Sequence, residues 1–267
     1  MTTASPTEFG GAATAKRKRK RIQPLKAIRA IRALIADKED TSQVFKIIDA
    51  LSGNSGDEQF QRFVRSETGR RILSEKRNLV TTLSDQARLA ALPQGTLGRA
   101  YYEFMAEENL TADGLVEASE VVRREDDGRS AEERLFGYRN RDQHDLWHVV
   151  TGYGRDGLGE LALLAFTYAQ TRNRGIGFIV LVGANKTRNS LPGVNVWRIV
   201  REAWRNGRKS AWLPATDWEA MLERPLAEVR AELGIVAPAA YKDAEPHSIA
   251  AENAFKAMRA EQQKQAA

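Results

Sequence analysis

The chain has 267 residues, 42% hydrophobic and 28% charged, which is enough to bury a full-sized core as one large domain or two small ones. It has no cysteine, so disulfides, zinc ribbons, iron–sulfur clusters and thiol catalysis are excluded. The formal net charge of +6 is concentrated at one end: residues 1–36 hold nine basic side chains against the single acid Glu8, while the other 32 basic and 34 acidic residues nearly cancel.

The first fifteen residues are small and polar, the composition of a disordered segment. They lead into a basic cluster, Lys16, Arg17, Lys18, Arg19, Lys20 and Arg21. Beyond it Ile22, Leu25, Ile28, Ile31, Leu34 and Ile35 recur at three- and four-residue spacing, with Lys26, Arg29 and Arg32 between them. That spacing predicts a basic amphipathic helix. Three readings fit it. One is contact with an anionic membrane surface, where each Lys or Arg contributes about 1 kcal/mol. Another is a solvated arm leading into a core-packed helix. The third is nucleic acid, against which stands the lack of any aromatic residue to stack on bases. No apolar stretch of signal-peptide type follows the basic cluster. The run Gly175–Ala184 is about half the roughly 20 residues a membrane helix needs. These features predict an intracellular, non-spanning protein.

From Thr41 onward the pattern is helical. Val44, Phe45, Ile47, Ile48 and Leu51 form one apolar face, ended by Ser52, Gly53 and Asn54. A second helix is expected from Asp57 or Glu58 to Gly69, and a third over Leu79–Leu92, stopped by Pro93. An aromatic run follows (Tyr101, Tyr102, Phe104), then helical turns at Leu110–Val122. Arg123–Glu133 reads as a solvated loop or an exposed helix end. Leu161–Arg201 mixes apolar runs with six basic residues and no acid, the makings of either a greasy groove with a cationic mouth or a core helix followed by an exposed basic loop. Later come Val196–Trp204, a short helix after Asp217, and another over Pro225–Leu233. Glu245–Ala267 is polar and Ala-rich, a composition that could form a loose helix. The expected fold is all-α: about eight to ten helices in one domain over residues 22–240, with a disordered basic arm (1–21) before it and a polar tail (241–267) after it.

The chemistry concentrates in residues 141–166, which hold two of the three histidines. With Asp142 or Asn140 as cap, a helix over His144–Thr151 places His144, Asp145 and His148 on one side, since residues advance about 100° each. Gly152, Gly154, Gly157 and Gly159 can reverse the chain, and Glu160 then returns in the first turn of a helix over Leu158–Thr171. Two imidazoles with one or two carboxylates suit zinc, ferrous iron, manganese or cobalt, and three protein ligands leave an open, catalytic position. Asp145 could be a ligand, a partner fixing a histidine tautomer, or a base beside a metal-bound water. A His-x-x-x-His pair also arises by chance on ordinary helices. His247, beside Pro246, reads as a surface histidine. Gly152-Tyr-Gly154-Arg-Asp-Gly157 spells the dinucleotide fingerprint, but a helix precedes it and no ribose-binding acid follows before Glu202, so no nicotinamide or flavin site is expected.

His144-Asp145-x-x-His148, eleven residues and then Glu160 is the metal-motif spacing of the Coq-four family of ubiquinone biosynthesis proteins, which this sequence resembles. Leu92-Pro93-Gln-Gly95-Thr96-Leu-Gly98-Arg-Ala-Tyr101 looks like the same family, as does Trp212-Leu-Pro-x-x-Asp217-Trp218-Glu219 with Pro225-Leu226 and Val229-Arg230 after it. The likeness runs from about Ile47 to Leu233. It implies an all-helical, peripheral membrane protein, often a homodimer, with a divalent metal on His144, Asp145, His148 and Glu160 and an isoprenoid tail in an apolar tunnel. Two roles come with the resemblance. One is scaffolding of the other ubiquinone-forming enzymes around the prenylated aromatic intermediate. The other is catalysis, replacing the carboxyl at C1 of the aromatic head by hydroxyl, with Asp145 and Glu160 as catalytic carboxylates. Arg139 and Arg141 could hold the substrate carboxylate, with Tyr102 beside it, and the basic cluster Lys16–Arg21 would meet the membrane. Nucleic acid is not expected as a partner. An Arg- and Ala-rich chain without an organelle leader suggests a bacterial cytoplasmic location, peripheral on the inner membrane.

Overall fold

Small side chains decide how the first helices pair. In the computed structural model, which describes residues 22–36, 41–107 and 128–266, helix α1 (Pro24–Ala36) turns Ala27, Ala30 and Ile31 onto α2 (Thr41–Leu51). Ile47 and Ala50 of α2 complete a small core with Ile179. The basic cluster Lys16–Arg21 and the turns expected at Leu110–Val122 lie outside the described residues.

Helices α3 (Ser55–Arg65) and α4 (Glu67–Ser74) meet at Ser66, whose hydroxyl caps α4 by accepting from the Gly69 N–H. Their Phe60, Phe63 and Ile72 pack against Phe136. The helix expected over Leu79–Leu92 is two: α5 (Leu79–Leu83) and α6 (Gln86–Ala91). Asp85 causes the break, because its carboxylate accepts from the Arg88 N–H and starts a new helix. Helix α7 (Leu97–Glu107) follows a loop stitched to a distant corner. There the N–H groups of Leu97 and Gly98 donate to the carbonyls of Arg224 and Leu222 at 2.9 and 2.7 Å.

The charged stretch expected as a loop or helix end leads into α8 (Ala131–Asp142), opened by a reciprocal capping box between Ser130 and Glu133. Next come α9 (His144–Thr151), α10 (Gly157–Thr171) and α11 (Arg174–Ser190). Helix α11 takes the core-helix reading of its sequence: Ile176, Ile179, Val180 and Ala184 are buried, and Arg188 lies exposed near its end. Helix α10 runs through the main core, burying Leu158, Leu161, Ala162, Leu163, Ala165 and Phe166 against α11 and α12 (Val196–Lys209). Burying each Leu or Phe contributes roughly 1.5–3 kcal/mol. At Gly207 of α12 an added Cβ would lie 2.6 Å from the Phe166 carbonyl oxygen, so glycine permits the closest approach of these two helices.

A 3₁₀ turn (Leu213–Ala215) and the short helices α13 (Trp218–Met221) and α14 (Leu226–Glu232) precede α15 (Ala239–Ala266). The polar tail, expected as a loose helix, is the body of a 28-residue helix, and a boundary at 240/241 falls inside it. Its first turns are buried at Ala240, Tyr241, Ala244 and Ser248. The domain is all-α, with fifteen α-helices and no strand among the described residues. The excess over eight to ten comes from pieces of four to eight residues, too short to show a period.

Candidate metal centre

Helix α8 steps almost directly into α9 through Gln143. The Gln143 amide is fully engaged: Oε1 accepts from Trp218 Nε1 at 2.6 Å, and Nε2 donates to Asn140 Oδ1 at 2.9 Å. Neither Asp142 nor Asn140 caps α9, contrary to the sequence expectation. Asp142 is buried against Arg141, and Asn140 donates back to the Phe136 carbonyl. Every residue from Asp145 to Thr151 is buried, so α9 is a core helix whose polar side chains had to be placed deliberately. It ends at Gly152, left-handed at φ +79°, whose N–H closes onto the His148 carbonyl at 2.8 Å. The chain then turns, and the Asp156 carboxylate opens α10 by accepting from the N–H groups of Leu158 and Gly159. Glu160 comes back in the first turn of α10.

The turn brings four side chains together. His148 Nε2 lies 3.3 Å from Glu160 Oε1, and His144 Nε2 lies 3.7 Å from Glu160 Oε2. One ligand atom each from His144, Asp145 and His148 falls within 4.8 Å of the others. The His148 ring is fixed by stacking on Phe104 (centroids 5.6 Å apart) and by an edge contact with His144. Its Nδ1 lies 2.9 Å from the Tyr153 carbonyl. A carbonyl only accepts, so Nδ1 carries a proton there, and Nε2 is the ring nitrogen that faces Glu160.

This arrangement is short of positive charge. His148 Nε2 and Asp145 Oδ1 are both buried without a hydrogen-bond partner, which costs roughly 1–3 kcal/mol for each such group. Burial opposes a charge on His144, yet Glu160 and then Asp145 outweigh it and hold the imidazole above its ordinary range. Burial would likewise raise the Glu160 carboxyl, but His148 and His144 hold it well below the ordinary carboxylate range. Two imidazoles and a carboxylate with ligand atoms within 4.8 Å of one another fit a divalent cation, and a His₂/carboxylate donor set suits zinc, iron, manganese or cobalt. The residues His144, Asp145 and His148 could thus hold a metal ion, with Glu160 facing both imidazoles.

The arginines expected at the substrate are committed elsewhere. Arg139 is 1% exposed. Its guanidinium donates to both Glu219 oxygens at 2.7 and 2.6 Å and to the Thr216 carbonyl at 3.0 Å, so the assignment to a substrate carboxylate is corrected. Arg141 pairs with Asp142 at 2.6 Å and lies over the Tyr138 ring. Tyr102 sits under the Arg99 guanidinium, while Phe104 of the same helix meets His148. The cation that does reach the cluster is Arg155: Nη1 is 3.6 Å from Asp145 Oδ1, and Nε is 3.9 Å from Glu160 Oε1. Its signal in the sequence was its isolation, as the one Lys or Arg between Asp142 and Thr171. Tyr241 had no local signal. Its hydroxyl accepts from the Gly154 N–H at 2.9 Å and donates to Asp156, pinning the turn from eighty-odd residues away.

The family model described as coenzyme Q (ubiquinone) biosynthesis protein Coq4 matches residues 20–239. The mitochondrial ubiquinone biosynthesis protein of Podospora anserina is 33% identical over 178 residues, covering 65% of this chain and 55% of that protein. The counterpart in Botryotinia fuckeliana is 32% identical, covering 67% and 61%. That of Drosophila ananassae is 31% identical, covering 64% and 61%. The chain therefore spans less than two thirds of the length of these relatives. A crystal structure of a candidate ubiquinone biosynthesis protein from Nostoc punctiforme superposes with a TM-score of 0.58 at 22% identity. It covers 80% of this chain and 99% of that one, which shows a shared fold. The expected bacterial cytoplasmic location on the inner membrane is corrected by the relatives from Podospora anserina, Botryotinia fuckeliana and Drosophila ananassae, which are mitochondrial proteins of eukaryotes. Among the described residues no helix is long and apolar enough to cross a membrane.

Proposed function

We propose that this chain, which belongs to the Coq4 family of coenzyme Q (ubiquinone) biosynthesis proteins, would hold a divalent metal on His144, Asp145, His148 and Glu160 and act on a prenylated hydroxybenzoate-type precursor by oxidative decarboxylation, in which the C1 carboxyl leaves as CO2, a hydroxyl takes its place and dioxygen accepts the two electrons released. The observation that carries this reading is the buried pair His148 Nε2 and Asp145 Oδ1, which have no hydrogen-bond partner and lie beside His144, with Glu160 facing both imidazoles. An ion held by these residues would supply a Lewis acid and, as iron, manganese or cobalt, a redox centre.

The chain's own residues divide the remaining work. Tyr153 and Phe104 orient His148, which is fully buried. His144 and Glu160, 30% and 32% exposed, form the open side from which the head enters. The His144 Nε2–Glu160 Oε2 contact on that side is placed to hold or pass a proton. A prenylated substrate resides in a membrane. The exposed Ile22, Leu25, Ile28 and Ile35 beside Arg29 and Arg32 support action at a membrane surface. In this reading the partners are the prenylated aromatic lipid, the other ubiquinone-forming enzymes and a second copy of the chain.

The same exposed stripe on α1 favours a second reading, a non-catalytic lipid-binding scaffold for those enzymes. Glu160→Gln separates the two. The catalytic reading expects loss of C1 hydroxyl formation by roughly 100-fold or more with helicity and lipid binding kept. Turnover equal to that of the unaltered protein would leave the scaffold.

A further inference from the structure

The arginines around the centre form ion pairs of two kinds. Arg139–Glu219 and Arg141–Asp142 are closed at 2.6 Å between well-covered partners. Arg155 is instead 30% exposed and stretched between two carboxylates on different helices, 3.6 Å from Asp145 and 3.9 Å from Glu160. It bonds tightly to neither and partly neutralises both. Those two carboxylates belong to the metal cluster, so a divalent cation and the guanidinium compete for the same charge. A cation held by Asp145 and Glu160 cancels the attraction on Arg155 and repels it.

The backbone around Arg155 cannot follow, because Tyr241 holds Gly154 on one side and Asp156 on the other. Only the side chain is free to swing, at the half-open edge formed by His144 and Glu160. A planar guanidinium released at that edge matches a carboxylate with two parallel hydrogen bonds. Arg139 and Arg141, the neighbouring candidates, are already spent.

We infer that Arg155 is the anion-binding residue of this centre: it rests on Asp145 and Glu160 when they lack a metal and turns to the carboxylate of an aromatic acid when they hold one. This rests on the metal-centre reading above, and it names the group that selects a carboxylated head over a neutral one.

The test uses the full chain, titrated first with Co²⁺, whose visible absorption reports its ligands, and then with 4-hydroxybenzoate as the tail-free head. The unaltered protein is expected to bind 4-hydroxybenzoate measurably only after Co²⁺. Arg155→Gln should take up Co²⁺ about tenfold more tightly, having lost the competing cation. It should bind the anion about tenfold to a hundredfold more weakly, the loss of charged hydrogen bonds. Arg155→Lys should recover part of the anion binding. Equal anion affinity in Arg155→Gln and the unaltered protein, or anion binding indifferent to Co²⁺, overturns the inference alone. Failure of the unaltered protein to take up Co²⁺ at all overturns the metal reading and this inference with it.

Discussion

Helix α10 carries a polar side chain near each end, and the chain treats the two in opposite ways. At Gln170 the amide nitrogen meets the carbonyls of Gly207 and Ala211 and the Ser210 hydroxyl, and the amide oxygen accepts from the Leu213 N–H at 2.9 Å. At Glu160 the carboxylate faces two imidazole nitrogens across 3.3 and 3.7 Å, beside an Asp145 oxygen with no hydrogen-bond partner. Two arginines repeat the contrast: Arg139 is buried and closed onto both Glu219 oxygens and the Thr216 carbonyl, while Arg155 is half-open and loosely held. Saturated polar groups tie the strands of chain that meet around them. Groups left facing one another keep their bonding capacity for something that arrives later.

The contrast is open to experiment, and the largest effect is expected at Arg139. Arg139→Met removes one partner of a buried pair and strands Glu219, so it should cost about 3–5 kcal/mol in urea unfolding. A cost near zero would show that this buried pair is not what holds α8 to α13. Gln170→Ala leaves several buried groups unmet and should cost about 3 kcal/mol. The matching change at the other end of the same helix, Glu160→Gln, keeps a polar group of the same shape facing both imidazoles, so it should cost the metal-free protein less than Gln170→Ala does. Equal costs at Gln170 and Glu160 would erase the distinction.

The smallest expected effect is at Asp217. It accepts from Arg71 at 2.6 Å and Arg77 at 2.7 Å. Burial would raise its carboxyl, but Arg77, with help from Arg71, holds it below the ordinary carboxylate range. A carboxyl lowered on folding stabilises the protein above its unfolded pKa, and that contribution fades as pH falls through the folded value. The difference between the unaltered protein and Asp217→Asn, about 1 kcal/mol or less at neutral pH, should therefore vanish in acid. A difference that grew on acidification would have the wrong sign.

How far the sequence foretold all this depends on distance along the chain. His144, Asp145, His148 and Glu160 lie within seventeen residues, and helical periodicity with a glycine turn is enough to bring them together. The commitment of Arg139 to Glu219, eighty residues away, left no local mark, and two arginines beside a predicted ligand read naturally as substrate contacts. The break at Ser84 and Asp85 and the capping box at Ser130 were local but rested on one or two side chains, too little to show as a period. Helix α15 looked polar because its buried residues lie in its first turns, where Tyr241 reaches the turn before Glu160.

The most direct test is the metal itself, measured by mass spectrometry on anaerobically purified protein beside His148→Ala, with circular dichroism to check that the helices remain. The account predicts a near-stoichiometric transition metal in the unaltered chain, lost in the variant without loss of helicity. No metal in either protein, even after reconstitution, would contradict it and leave the cluster as an ion-paired corner of a lipid-binding fold.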